Sequence, residues 1–153
     1  MLISKSKLAA VLASIGLMLG TASVTLALDP PPTDVVLIDH TKVEAAMAKG
    51  GPLLLTSRYK IQEGRRVTNG PAEIHENDTD IFFVVEGSAT FVTGGTPVDK
   101  KEIGPGEYHA KELTGGVPHH LVKGDSIVIP YGIPHQFTEI TGTFVYHVVK
   151  VTK

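Results

Sequence analysis

The chain has 153 residues, a length for one domain, and its 42% hydrophobic and 20% charged residues describe an ordinary globular protein. The absence of cysteine excludes a disulfide framework and a thiolate site. A formal net charge of −2, with no basic block or Arg/Lys stripe, argues against nucleic acid as a partner.

The N-terminus reads as a targeting segment. Lys5 and Lys7 precede an apolar stretch over 8–19, and small residues follow at Gly20, Thr21, Ala22, Ser23 and Ala27. This is the order of a secretory signal, and its apolar part is too short for a comfortable membrane span. Cleavage after Ala27, with Thr25 at −3, is one expectation and cleavage after Ala22 another; an uncleaved anchor is the alternative. Removing Lys5 and Lys7 takes the formal charge from −2 to −4, so the expected mature protein is mildly acidic and periplasmic or secreted, with no stable membrane insertion.

Residues 28–52 read as an N-terminal extension. Asp29-Pro30-Pro31-Pro32 is a stiff, extended leader. Val35-Val36-Leu37-Ile38 has the composition of a short edge strand. Thr41 and Glu44 stand at capping-box spacing, which predicts a helix over 42–49 with Gly50 just past its end. Residues 53–153 then form the main domain. Its 53–61 segment reads as a strand, and Asn69-Gly70-Pro71 is a turn.

The stretch from Glu73 to Gly87, EIHENDTDIFFVVEG, organises the rest. In a strand Glu73 and His75 project to one face. The polar tetrad 76–79 has turn composition, and Ile81-Phe82-Phe83-Val84-Val85 is a β-branched and aromatic run. If the two segments form a hairpin, Asp80 comes near Glu73 and His75. Further strands are expected over 89–93, 117–122, 126–129, from His135 and over 143–151. The segment 96–116 reads as a long connection with one short strand. Many short strands between Gly and Pro turns indicate a sandwich or barrel, and a barrel encloses a pocket.

Gly124-x5-Pro130-x-Gly132-x2-His135 resembles the second motif of the cupin superfamily, whose closing Asn falls here on Glu139. Aligned on its final glycine, the first cupin motif, His-x-His-x3–4-Glu-x6-Gly, places Gly87 at the Gly, Asp80 at the Glu, His75 at the second His and Glu73 at the first. A second register, with His75 and Asn77 at the two His positions, leaves too few residues before Asp80. The resemblance spans roughly residues 53–149. It implies an all-β antiparallel jelly-roll barrel and a divalent metal held inside by residues of the two motifs: His75, His135, Asp80 and Glu73.

The donor set can be weighed by its own chemistry. Two imidazoles with a carboxylate follow the facial-triad logic of non-haem iron, and two carboxylates would neutralise a dication, suiting Fe, Mn or Zn. Asp80 is one methylene shorter than the family's Glu, so it reaches a metal directly or through water. Glu73 has two readings: a direct ligand, or a catalytic general base whose pKa rises beside Asp80. Without a metal, Glu73, His75 and Asp80 would be a polar cluster lining the pocket. His119 and His120 are adjacent on a strand, so only one faces inward, as a pocket base, a fourth ligand or a rim residue; His147 has similar readings, and His40 and His109 read as surface residues. Tyr59, Phe82, Phe137 and Tyr146 are candidates for pocket lining or core.

Two functions from different classes remain open. One is a metalloenzyme on a small organic substrate, with the dioxygenase, isomerase or decarboxylase chemistry that the resemblance implies. The other is a periplasmic binding module for a sugar-like ligand. A homodimer is the expected assembly.

Overall fold

The computed structural model describes residues 28–153, and the targeting segment read at 1–27 lies outside the described residues. The order of elements is α1 (His40–Met47), β1 (Gly51–Leu55), β2 (Tyr59–Arg66), β3 (Ala72–His75), β4 (Asp78–Thr93), β5 (Thr96–Val98), β6 (Lys101–Gly104), β7 (Glu107–Ala110), β8 (Glu112–Thr114), β9 (Val117–Val122), β10 (Ser126–Ile129) and β11 (His135–Thr152). The main sheet runs β1-β2-β11-β3-β7-β6, while β4 pairs with β11, β10 and β9, and β5 and β8 form a separate pair. Every pairing is antiparallel. This is the curled all-β architecture of a jelly roll with one short helix.

Two long strands carry the barrel. β11 pairs with β2 over Phe144–Val151 and with β4 from His135 to Thr152, so one element spans both halves of the molecule. Period-2 alternation turns Phe82 and Val84 of β4, and Tyr146 and Val148 of β11, to one buried face. With Ala89, Phe91, Leu121, Ile129, Phe137 and Phe144 they form the core. Each fully buried large apolar side chain contributes about 1.5–3 kcal/mol. The core ends against the site, where the Phe91 ring lies 5.6 Å from that of His135.

Several local expectations are corrected. Residues 35–38 form no strand, and Val35 and Leu37 are almost fully exposed, because no neighbouring strand is there to pair them. The helix begins two residues earlier than expected, with Asp39 rather than Thr41 as its cap: the Asp39 carboxylate accepts from the amides of Thr41 and Lys42. The single strand read at 53–61 is two, β1 and β2, folded over a turn in which the Thr56 hydroxyl donates to the Tyr59 carbonyl at 2.6 Å. The 96–116 connection contains four short strands, not one. Gly87 does not end a strand. It sits within β4 at φ +79°, where the register with β11 jumps between Thr141 and Val145. Nor do β3 and β4 pair as a hairpin: β3 pairs with β7 and β11.

One end of the barrel is fastened by charge. Asp78, at the start of β4, accepts from Lys60 Nζ on β2 and from the Thr152 hydroxyl on β11 at 2.7 Å. Burial pushes the Asp78 carboxyl up, but the Lys60 and Thr152 bonds outweigh it and hold it below the usual range. A depressed folded pKa stabilises the fold above the unfolded value of about 3.9 and is lost as the pH falls from there through the folded value. Asp78→Asn should therefore lower stability by roughly 1–3 kcal/mol at neutral pH and flatten the acid limb of a stability–pH curve. Denaturant melts of both proteins at neutral pH and below 4 check this, and an unchanged acid limb would refute it.

Candidate metal centre

Three elements bring the site together. β3 supplies Glu73 and His75, two residues apart on one strand and aimed into the same space. His135 opens β11 directly opposite Glu73. Ligand atoms of Glu73, His75 and His135 all lie within 4.8 Å of one another. The two imidazole centroids are 5.2 Å apart, and both rings are buried.

The orientation of each imidazole is set from behind. Nδ1 of His75 donates to the Glu107 carboxylate on β7, and Nδ1 of His135 donates to the Ile133 carbonyl at 3.0 Å. In the neutral rings this leaves Nε2 as the lone pair on both. Neither Nε2 atom has a hydrogen-bond partner, although both are fully buried. Buried polar atoms are rarely left unpaired, because each costs about 1–3 kcal/mol of desolvation. Burial pushes the His135 pKa down, against the carbonyl contact and the nearby carboxylates, so this ring is neutral and available as a donor. Two such lone pairs converging with a carboxylate fit a divalent cation of the Fe, Mn or Zn type. The Glu107–His75 contact is the carboxylate–imidazole support found behind many metal ligands.

Asp80 lies where the sequence places it, although not by way of a hairpin. It is 2% exposed, with Oδ2 at 3.5 Å from Nε2 of His75 and 4.0 Å from Nε2 of His135. Both its oxygens also accept from Lys150 Nζ, at 2.8 and 2.6 Å. Glu73 is similarly engaged: Oε1 accepts from Arg66 Nη2 at 2.8 Å, while Oε2 stands 3.7 Å from Nε2 of His75. Burial pushes the Glu73 carboxyl up, but the charge and hydrogen bond of Arg66 lead the opposing effects, and the carboxyl is held below the usual range. The rise expected beside Asp80 is thus reversed by Arg66.

Glu73, Asp80 and His135 border a cavity of about 220 Å³ whose polar walls also include Glu63, Arg66 and Lys150. Phe82, Phe137, Val148 and Tyr146 supply the apolar part, so three of the four aromatic candidates line the pocket and belong to the core as well; Tyr59 does not line it. The Tyr146 hydroxyl accepts from Arg66 Nε at 3.3 Å, and burial pushes its pKa up, so it keeps its proton to donate. Of the other histidines, His109 on β7 pairs across the strands with Glu73. His119 bonds the Thr93 hydroxyl at 2.9 Å, His147 bonds Glu63 at 2.7 Å, and His120 and His40 are exposed.

Sequence reasoning did not find Arg66, Glu107 or Lys150. For Lys150 a signal was present: at period 2 it shares a face with Tyr146 and Val148, and a lysine on an inward face is a partnered charge. For Glu107, far along the chain from His75, no local signal existed.

No family model matches the chain, and no curated protein matches it. Solved structures do. The cupin domain of Schizosaccharomyces pombe Cnp3 is 8% identical, covering 68% of this chain and 60% of that one, with a TM-score of 0.50. Protein BH2720 of Bacillus halodurans is 13% identical, covering 83% of this chain and 87% of that one, at 0.56. Protein NMB1881 of Neisseria meningitidis is 12% identical, covering 76% and 100%, at 0.52. This chain therefore spans less than two thirds of the Cnp3 chain it matches, and at these identities the likeness is one of fold.

Proposed function

Starting from the cupin fold of this chain, we propose that it is an exported, divalent-metal-binding protein acting as a metalloenzyme on a small organic substrate inside the barrel. The observation that carries this reading is the pair of buried, unpartnered Nε2 atoms of His75 and His135 converging on Glu73. Glu73, His75 and His135 would hold the metal, with Asp80 Oδ2 3.5 Å from Nε2 of His75. A bound Fe, Mn or Zn ion supplies a Lewis acid or redox centre for a substrate oxygen or for dioxygen.

The chain's own residues do the rest. Glu107 fixes the tautomer and aim of His75, and the Ile133 carbonyl does the same for His135. Arg66 keeps Glu73 ionised, which suits a ligand better than a base. Phe82, Phe137 and Val148 exclude water, while the Tyr146 hydroxyl offers a proton to a bound oxygen. Export to the periplasm or medium is supported by the charged, apolar and small-residue order over 1–27. A homodimer is supported by the outer sheet face, where Phe83 and Val128 are 45% and 59% exposed beside Ile81 and Val149.

The test is metal content after reconstitution of metal-free protein with Fe(II), Mn(II) or Zn(II). One ion per chain is expected. Glu107→Gln should lower metal affinity roughly 10–100-fold with the fold intact. Less than a tenth of an ion per chain with all three metals would overturn the reading. Oxygen consumption and turnover over a panel of small carbonyl, phenol and sugar-acid compounds separate catalysis from simple ligand binding.

A further inference from the structure

Glu73 faces the metal centre with one of its two oxygens already taken. Oε1 accepts from Arg66 Nη2 at 2.8 Å, while Oε2 stands 3.7 Å from Nε2 of His75. Arg66 is also held elsewhere. Its Nε donates to the Tyr146 hydroxyl at 3.3 Å, its guanidinium carbon lies 4.7 Å from the centre of the Phe137 ring, and a Cβ built at Gly70 would lie 2.6 Å from its Nη1. A planar guanidinium fixed on several sides presents its N–H groups in set directions. The other carboxylates of the cavity are engaged as well. Lys150 Nζ bonds both oxygens of Asp80, and His147 Nδ1 bonds Oε1 of Glu63 at 2.7 Å. Oε2 of Glu63 has no partner, but Glu63 is not one of the converging donors. Among the described residues, the donor atoms that all lie within 4.8 Å of one another come one each from Glu73, His75 and His135.

We propose that Arg66 is a positioning residue that limits Glu73 to one-oxygen ligation, so that a divalent ion held here has three protein donors and open positions toward the cavity; this rests on the metal-binding reading and deepens it. Carboxylates bind a cation through one oxygen or through two. While Oε1 is bonded to Arg66, only Oε2 is free to turn to the ion. Lys150 has the corresponding effect on Asp80, both of whose oxygens it bonds. Catalytic metal sites differ from closed structural ones in keeping a position free. With three protein donors, an octahedral ion of the Mn(II) type keeps about three positions for water or substrate oxygen. A substrate that binds through two oxygens, or a substrate together with dioxygen, needs about two of them. Releasing Oε1 of Glu73 would fill one.

The waters on bound Mn(II) report the open positions. They are counted from the broadening of its electron paramagnetic resonance lines in oxygen-17-enriched water. Wild-type protein reconstituted with Mn(II) should carry about three waters per ion. Arg66→Met, which removes the hydrogen bond to Oε1, should bind Mn(II) at least as tightly and lose about one of them. Loss of a positive charge near the ion does not by itself change that count. Gly70→Ala keeps every charge and, at a position without a positive φ, crowds the end of the Arg66 side chain. It should lower the count in the same direction, and it decides the question if Arg66→Met fails to fold. Equal counts in wild type and variant, about two waters already in the wild type, or a folded Arg66→Met that binds no Mn(II) would overturn this proposal and leave the metal reading intact. No Mn(II) bound by the wild type would overturn both.

Discussion

His135→Ala should abolish metal loading under conditions that fill the wild type, with an affinity loss beyond the roughly 10–100-fold that a residue behind a ligand costs. His135 gives the site a neutral, buried lone pair already aimed by the Ile133 carbonyl. Asp80→Asn should lose less. Lys150 occupies both Asp80 oxygens, so Asp80 acts on the metal mainly through its charge. Its removal leaves Lys150 uncancelled and weakens metal binding by repulsion while the three ligands persist. Metal analysis on both variants after reconstitution, with circular dichroism as the check on folding, decides the order. Equal occupancy in His135→Ala and the wild type, or a greater loss in Asp80→Asn, would remove His135 from the centre.

Gly87→Ala should be strongly destabilising. Gly87 adopts φ +79°, and a Cβ built there would lie 2.0 Å from the Thr143 carbonyl oxygen and 3.2 Å from Phe144 Cα. Left-handed strain alone costs about 1–2 kcal/mol. The clash is with backbone of β11 at its register jump, which cannot yield without separating the two strands that carry the barrel. A total loss of about 3 kcal/mol or more is expected, against the 5–15 kcal/mol that holds a typical domain together. Gly132 provides the control. Its φ is +78°, but a Cβ there meets nothing within 4 Å, so Gly132→Ala should cost only the strain. Its amide, which donates to the His75 carbonyl at 2.7 Å, is kept. Denaturant midpoints for the two variants separate clash from strain, and equal losses would show that the close approach at Gly87 is relieved.

The strand segments at 117–122 and 126–129 were legible in the sequence, as were the turns at Gly70, Gly124 and Gly132. Those features follow from local chemistry: β-branched residues in alternation, and glycines or prolines where the chain reverses. Strand periodicity put Glu73 and His75 on one face, and the resemblance of the Gly124–His135 and Glu73–Gly87 spacings to the two cupin motifs implied Asp80 and His135 as their companions.

What the sequence could not contain was which strands lie side by side. The hairpin read at 73–80 was wrong as pairing, yet Asp80 still stands 3.5 Å from His75, because β11 places β3 and β4 on neighbouring parts of one curled sheet. Arg66 and Lys150 are 7 and 70 residues from the carboxylates they neutralise, and Glu107 is 32 residues from the imidazole it orients. The sequence by itself determined the all-β class and the metal-type donors. Only the tertiary structure decided which cations meet the carboxylates of the site, because ion pairing depends on distance in space, and long-range strand pairing sets that distance.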